Sequence, residues 1–147
     1  MKLIFQANHF ASANPAMRIV HTDEGIERIP MEVHHHHDDG KTQNGKQPDP
    51  HIWLSPPNVK IMARNIARAL SEADPAHRPQ YDENGRRFIQ EIDQLDAELK
   101  GIFADRKGLR FMVFHPAWGY FAKTYGLKQV PVEIEGKEPK PAQLKRL

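Results

Sequence analysis

The chain of 147 residues is long enough for one ordinary domain with a core, and not obviously long enough for two. Lysine and arginine number 21 against 19 aspartates and glutamates, and these charges are interleaved, so no extended basic face for nucleic acid is expected. The absence of cysteine excludes disulfides, thiolate zinc sites and cysteine nucleophiles, so any metal must be held by histidine nitrogen and carboxylate oxygen.

Short apolar runs open the chain. MKLIF at 1–5 and MRIV at 17–20 are long enough to be strands, and a turn at DEG, 23–25, is followed by another short run. The segment HHHHDDGKTQNGKQPDP at 34–50 has no aliphatic or aromatic residue, which predicts a mobile loop. No apolar run approaches the ~18–20 residues of a membrane span, and no secretion signal is visible.

Two helices follow this loop. Ser55 is a suitable N-cap, prolines occupy the first turn, and apolar residues then recur at helical spacing until about Ala73. A second, longer helix is predicted from Pro79 to about Asp105, roughly 40 Å at 1.5 Å per residue. Its apolar stripe consists of Phe88, Ile92, Leu95, Leu99 and Ile102.

The last third alternates between strand and helix signals. RFMVF at 110–114 predicts a buried strand because its apolar residues are continuous, AWGYFAKTY predicts a short helix ending before Gly126, and LKQVPVEIE predicts a strand interrupted by Pro131. The final residues turn at Gly136 and begin a helix after Pro141 without a closing element, which suggests a chain cut within a larger fold.

Two histidines stand at the ends of extended segments. His115 follows the strand RFMVF, and the carboxyl ends of strands in α/β sheets face the crevice where ligands bind. The alternative is that its imidazole bonds a backbone carbonyl. His51 lies in DPHIWLSPP, where Trp53 and Leu54 should bury the following segment and hold the imidazole in place. The alternative is a turn stabilised by the Asp49 carboxylate, with an exposed ring.

Other polar and aromatic residues have weaker signals. A flexible tract of histidines and aspartates offers nitrogen and oxygen ligands that suit Zn²⁺, and it should capture metal weakly and release it easily. This tract consists of His34, His35, His36, His37, Asp38 and Asp39. We interpret His9, His21 and His77 as structural or surface residues, Trp118, Tyr120 and Phe121 as core, and Glu133, Glu135 and Glu138 as a solvated face.

The ordered set of DPHIWLSP, the upstream histidine and aspartate loop, and FHPAWGYFA followed by EGKEP resembles the metal-binding receptors of zinc and manganese ABC importers. The resemblance extends from about Gly25 to Leu147. It implies two α/β lobes joined by one long helix, with the metal in the cleft between them. Residues 1–73, with the loop 34–50, would end the first lobe, residues 74–108 would form the connecting helix, and residues 109–147 would start the second lobe.

The resemblance also implies the ligands, three histidines and a late acidic residue. His51 matches the second histidine and His115 the third, whereas neither His9 nor His21 has the flanking residues of the first, and the acidic ligand would lie beyond Leu147. We therefore interpret the chain as a fragment of such a receptor, located in the periplasm or at the outer side of a membrane. Its half-sheets have unpaired edges, which could promote self-association.

The implied function is capture of Zn²⁺ and its delivery to a membrane permease, without enzymatic activity. The histidine-rich loop favours zinc within the family, although Mn²⁺ stays possible. A metal buffer or chaperone that uses the loop alone is an alternative. A zinc hydrolase would need a general base and an open coordination position, and no HExxH-like pair is present.

Overall fold

The structure is a computed structural model, and it describes residues 17–31 and 47–133. Three α-helices and two strands are present in this part of the chain. They are α1 (Pro56–Ala73), α2 (Arg78–Phe103), β1 (Arg110–Val113), α3 (Gly119–Tyr125) and β2 (Lys128–Pro131). This mixture confirms the predicted α/β class.

The two long helices form the main scaffold. Helix α1 has prolines in its first turn, as predicted, but its N-cap Ser55 makes no capping hydrogen bond and instead pairs with Thr124 Oγ1 at 2.9 Å. A short 3₁₀ turn at Pro75–His77 leads into α2, whose 26 residues span about 39 Å. A Cβ placed on Gly85 would lie 3.2 Å from Ala67 Cβ, so α1 and α2 approach closely there.

The strands β1 and β2 are parallel neighbours, with Arg110 opposite Lys128 and Val113 opposite Pro131. Helix α3 connects them and packs on the sheet. Strand β1 is not buried, since Met112 is 63 % exposed and Phe114 is 57 % exposed, so that expectation is wrong. Only one face of the strand is covered within the described residues, and a continuous apolar run cannot reveal this.

Two apolar clusters hold these elements together. Ile26, Ile52 and Tyr120 form the first, which packs the segment around residue 26 and the turn after His51 against α3. Ala122, Tyr125 and Leu127 form the second, against Leu99 and Phe103 at the carboxyl end of α2. The predicted α2 stripe is only partly covered, because Phe88, Leu95 and Ile102 remain exposed.

The segment around Asp49 is held by an antiparallel backbone pairing. Met31 N–H donates to Gln47 O at 2.9 Å, and Asp49 N–H donates to Ile29 O at 2.8 Å.

Some predicted segments do not appear as predicted or are not described. Residues 17–20, which were predicted to be a strand, do not form one. Residues 1–5, residues 34–46 of the predicted loop and the tail beyond residue 133 lie outside the described residues. Whether the chain divides at residues 73 and 108 into two lobes stays a prediction. None of the helices that the structure describes is long and apolar enough to cross a membrane.

The end of α3 provides a stability test. Gly126 has φ +70°, a left-handed conformation that an L side chain adopts only with strain, and its N–H donates to Ala122 O. We expect Gly126→Ala to lower the free energy of unfolding by about 1 kcal/mol. Thermal unfolding followed by circular dichroism measures this, and Gly108→Ala, at a second positive φ, should lower it similarly. An unchanged melting temperature in both variants would contradict the strain argument.

Candidate metal centre

His51 is fixed by the carboxylate two residues before it. Asp49 is 1 % exposed, and its Oδ1 accepts a hydrogen bond from the His51 backbone N–H at 2.9 Å and lies 2.7 Å from His51 Nδ1. The predicted Asp49 turn is therefore present, but the imidazole is not left exposed, because its side chain retains only 15 % of its accessible surface. Ile52, which is buried, packs the following turn into the core, whereas Trp53 is 52 % exposed, contrary to our expectation.

His115 is placed by the carboxyl edge of the two-stranded sheet. The parallel pairing continues past both strands, with Val132 N–H donating to Val113 O and Glu133 N–H donating to Phe114 O. This register brings Glu133 Oε1 to 2.6 Å from His115 Nδ1. The His115 imidazole therefore bonds a carboxylate, and not the backbone carbonyl of the alternative interpretation. The interpretation of Glu133 as part of a solvated face is wrong, since its side chain is only 11 % exposed.

The two imidazoles are neighbours in space although 64 positions separate them. Their ring centroids lie 5.2 Å apart with planes at 76°. Each Nδ1 faces a carboxylate oxygen, which can only accept, so the neutral rings carry their proton on Nδ1. The lone pair of each ring is then on Nε2, which is the arrangement of histidines that bind a metal with a carboxylate behind them.

The segments that carry the two histidines are joined by direct hydrogen bonds. The Tyr120 hydroxyl accepts from Ile29 N–H at 3.2 Å and donates to Asp49 O at 3.1 Å, and it is buried with its ring. Ser55 Oγ and Thr124 Oγ1 form a second link. These bonds hold the start of α1 against α3 and thereby fix the two imidazoles relative to each other.

Other candidate residues do not join this pair in the described part of the chain. His77 pairs with Asp74 at the turn between α1 and α2, and His21 is exposed. Residues 34–39 and His9 lie outside the described residues, so the loop tract stays a prediction. No group of three or more histidines, aspartates or glutamates suited to a metal ion occurs within residues 17–31 and 47–133.

Sequence comparison places the chain in a family. The family model described as zinc-uptake complex component A, periplasmic (ZnuA), matches residues 4–147. The high-affinity zinc uptake system protein ZnuA of Brucella abortus (strain 2308) is 40 % identical over 80 residues, covering 54 % of this chain and 24 % of that protein. The metal ABC transporter substrate-binding lipoprotein ScbA of Streptococcus cristatus is 34 % identical over 128 residues, covering 84 % of this chain and 39 % of that protein.

Structural comparison agrees. A crystal structure of ZnuA superposes with a TM-score of 0.80 at 40 % identity, covering 95 % of this chain and 52 % of that chain. The fold is therefore that of part of a metal-binding receptor. The chain belongs to the ZnuA family of periplasmic zinc-uptake components. It spans about half of the solved structure and a smaller share of the curated relatives it matches.

Proposed function

We propose that this chain provides part of the zinc site of a solute-binding receptor for an ABC importer, with His51 and His115 as two of its ligands. The observation that supports this proposal best is the contact between the two imidazoles, each backed by a carboxylate at Nδ1. A structural histidine needs only one satisfied nitrogen. Two neighbouring rings whose Nδ1 atoms are both engaged keep Nε2 free on each ring, and these are donor atoms for a shared cation.

The spacing fits zinc. Two imidazoles bound through ring nitrogens at about 2.0–2.1 Å with a tetrahedral angle have centroids roughly 5 Å apart, close to the observed separation. Imidazole is a borderline base that suits zinc, whereas manganese prefers sites with more oxygen. Asp49 and Glu133 would orient the rings and increase the basicity of the ligand nitrogens, so neither needs to bind the ion itself.

Membership of the family supports a transport role. The ion is cargo, and it has to be bound reversibly and passed on unchanged, so no catalytic residue is required. We infer that the whole receptor acts outside the cytoplasmic membrane and delivers zinc to a membrane permease. We also infer that further ligands complete the site, as the resemblance implies, and that the tract 34–39 gathers ions near it.

A metal titration tests the proposal. We expect the chain to bind Zn²⁺ in preference to Mn²⁺ at pH 7.5, and the zinc affinity to fall by at least about tenfold at pH 5.5, because protons compete for imidazole nitrogens. Isothermal titration calorimetry at the two pH values, with and without residues 34–37, gives both results. Equal affinity for the two metals, or zinc binding that is unchanged at pH 5.5, would contradict a histidine site.

A further inference from the structure

Gln129 lies between the two segments that carry the histidines. It is on β2, it is 6 % exposed, and its Oε1 accepts a hydrogen bond from Trp118 N–H at 3.1 Å. Trp118 follows His115 by three residues. Because the amide oxygen is engaged there, the amide NH₂ must face the other way.

The other end of this amide lies near the Asp49 carboxylate. Gln129 Nε2 and Asp49 Oδ2 are both buried, and neither has a hydrogen-bond partner within the described residues. A Cβ placed on Gly119 would lie 2.8 Å from Asp49 Oδ2 and 3.4 Å from Gln129 Nε2, so both atoms border the same small space. One is a donor and the other an acceptor, and each loses free energy while it is unpaired.

Gly119 makes this approach possible. A methyl group at this position would overlap the carboxylate and would also lie 3.3 Å from Ile29 Cδ1. The carboxylate is enclosed and already bound to His51 through Oδ1, so it could yield only by rotating. The absence of a side chain at residue 119 is thus a steric requirement of the Asp49 orientation.

We propose that Gln129 is a positioning residue of the zinc site. A small rotation of either group, or one bridging water, lets its NH₂ donate to Asp49 Oδ2 while its carbonyl oxygen accepts from Trp118 N–H. The amide thereby fixes the plane of the carboxylate that sets the proton of His51 on Nδ1. Glu133 lies four residues further along the same segment, and its carboxylate bonds His115 Nδ1 directly. One segment therefore orients both imidazoles. This inference rests on the proposed zinc role.

The principal test is Gln129→Glu, with Gln94→Glu on the exposed face of α2 as the matched control. A carboxylate at residue 129 cannot donate to Asp49 and repels it. We expect the imidazole ¹⁵N shifts of His51, recorded without metal at pH 8.5, to change from the single Nδ1–H tautomer to a mixture. Zinc affinity, measured by competition with a chromophoric chelator, should fall about five- to tenfold. The control should leave both readouts unchanged.

A second variant disturbs the proposed contact between Gln129 and Asp49 by displacing the Asp49 carboxylate. Gly119→Ala leaves Gln129 intact and displaces the Asp49 carboxylate, so it applies even if Gln129→Glu does not fold. Gly101→Ala, where an added Cβ meets nothing within 4 Å, is its control. We expect the same loss of the single tautomer in Gly119→Ala and none in Gly101→Ala.

The outcomes separate the two proposals. A His51 that keeps one tautomer in both test variants overturns the positioning role of Gln129, whatever the zinc affinities are. A parent chain that binds no zinc, but whose test variants lose the tautomer, supports the positioning role and contradicts the receptor proposal.

Discussion

Replacing either His51 or His115 with alanine is expected to weaken zinc binding at the paired imidazoles by at least about 100-fold. Changes to groups behind a ligand already cost about 10–100-fold in metal affinity, and loss of a ligand nitrogen removes a bond to the ion itself. The two variants should have similar effects, because the rings are neighbours 5.2 Å apart that would share one ion. Chelator competition at pH 7.5, on chains lacking residues 34–37 to remove loop binding, measures the affinity.

The control for this prediction is His77→Ala. His77 also pairs with a carboxylate, Asp74, but its side chain is 62 % exposed and it lies at the turn between α1 and α2. It should leave zinc affinity unchanged. If removal of the loop tract abolishes all zinc binding while His51→Ala and His115→Ala have no effect, the chain is a metal buffer that uses the loop, and the paired histidines are structural.

The helices were predictable because their signals are local. The prolines after Ser55 and the apolar spacing to residue 70 predict α1 within a residue of its observed end, and Gly126 ends α3 as predicted. The exposure of β1 was not predictable. Whether Met112 and Phe114 are covered depends on which elements pack against the strand, and a run of four residues contains no information about that.

In the candidate site, too, only the features with local sequence signals were predictable. The position of His115 at a strand end followed from its neighbours, whereas its pairing with His51 was expected from the family resemblance alone. The partners behind the rings were missed, since Asp49 was expected only to stabilise a turn that leaves the ring exposed. Glu133 reaches His115 only through the register of β1 and β2, and Gln129 approaches Asp49 across 80 positions of sequence. A carboxylate that alternates with apolar residues has the same local pattern whether it faces water or a histidine.

The second large effect is expected at Asp96, the only buried residue of α2. Its Oδ2 accepts from Lys100 Nζ at 2.8 Å, its Oδ1 accepts from the Tyr125 hydroxyl at 3.1 Å, and Lys60 Nζ of α1 lies 3.8 Å away. One carboxylate therefore joins all three helices. Since α1 begins five residues after His51 and α3 begins four residues after His115, this junction also supports the candidate site.

We expect Asp96→Ala to lower the free energy of unfolding by about 2–4 kcal/mol, because it leaves the buried Tyr125 hydroxyl without its acceptor and removes the partner of the lysines. For a chain of this length the melting temperature should fall by roughly 5–12 °C. Asp93→Ala is the control. Asp93 also bonds Lys60, at 2.7 Å, but its side chain is 56 % exposed, so its loss should cost less than about 1 kcal/mol. Equal effects of the two substitutions would show that Asp96 is not the junction.

The pH dependence of stability provides an independent check on Asp96. Burial acts to raise the pKa of this carboxyl group, but the hydrogen bonds from Lys100 and Tyr125 and the charges of Lys100 and Lys60 outweigh burial and lower it. Burial and the Asp96 carboxylate in turn raise the pKa of Tyr125, so its hydroxyl remains a donor.

A lowered pKa in the folded state means that the Asp96 contribution is complete above the unfolded value, about 3.9, and is lost as the pH falls through the folded value. The asparagine variant Asp96→Asn cannot ionise and lacks this contribution at every pH. The difference in stability between the parent and Asp96→Asn should therefore be constant from pH 6 to 8 and shrink below about pH 4. Urea unfolding at several pH values measures it, and a difference that persists unchanged at acid pH would indicate that the ionised carboxylate is not what holds the three helices together.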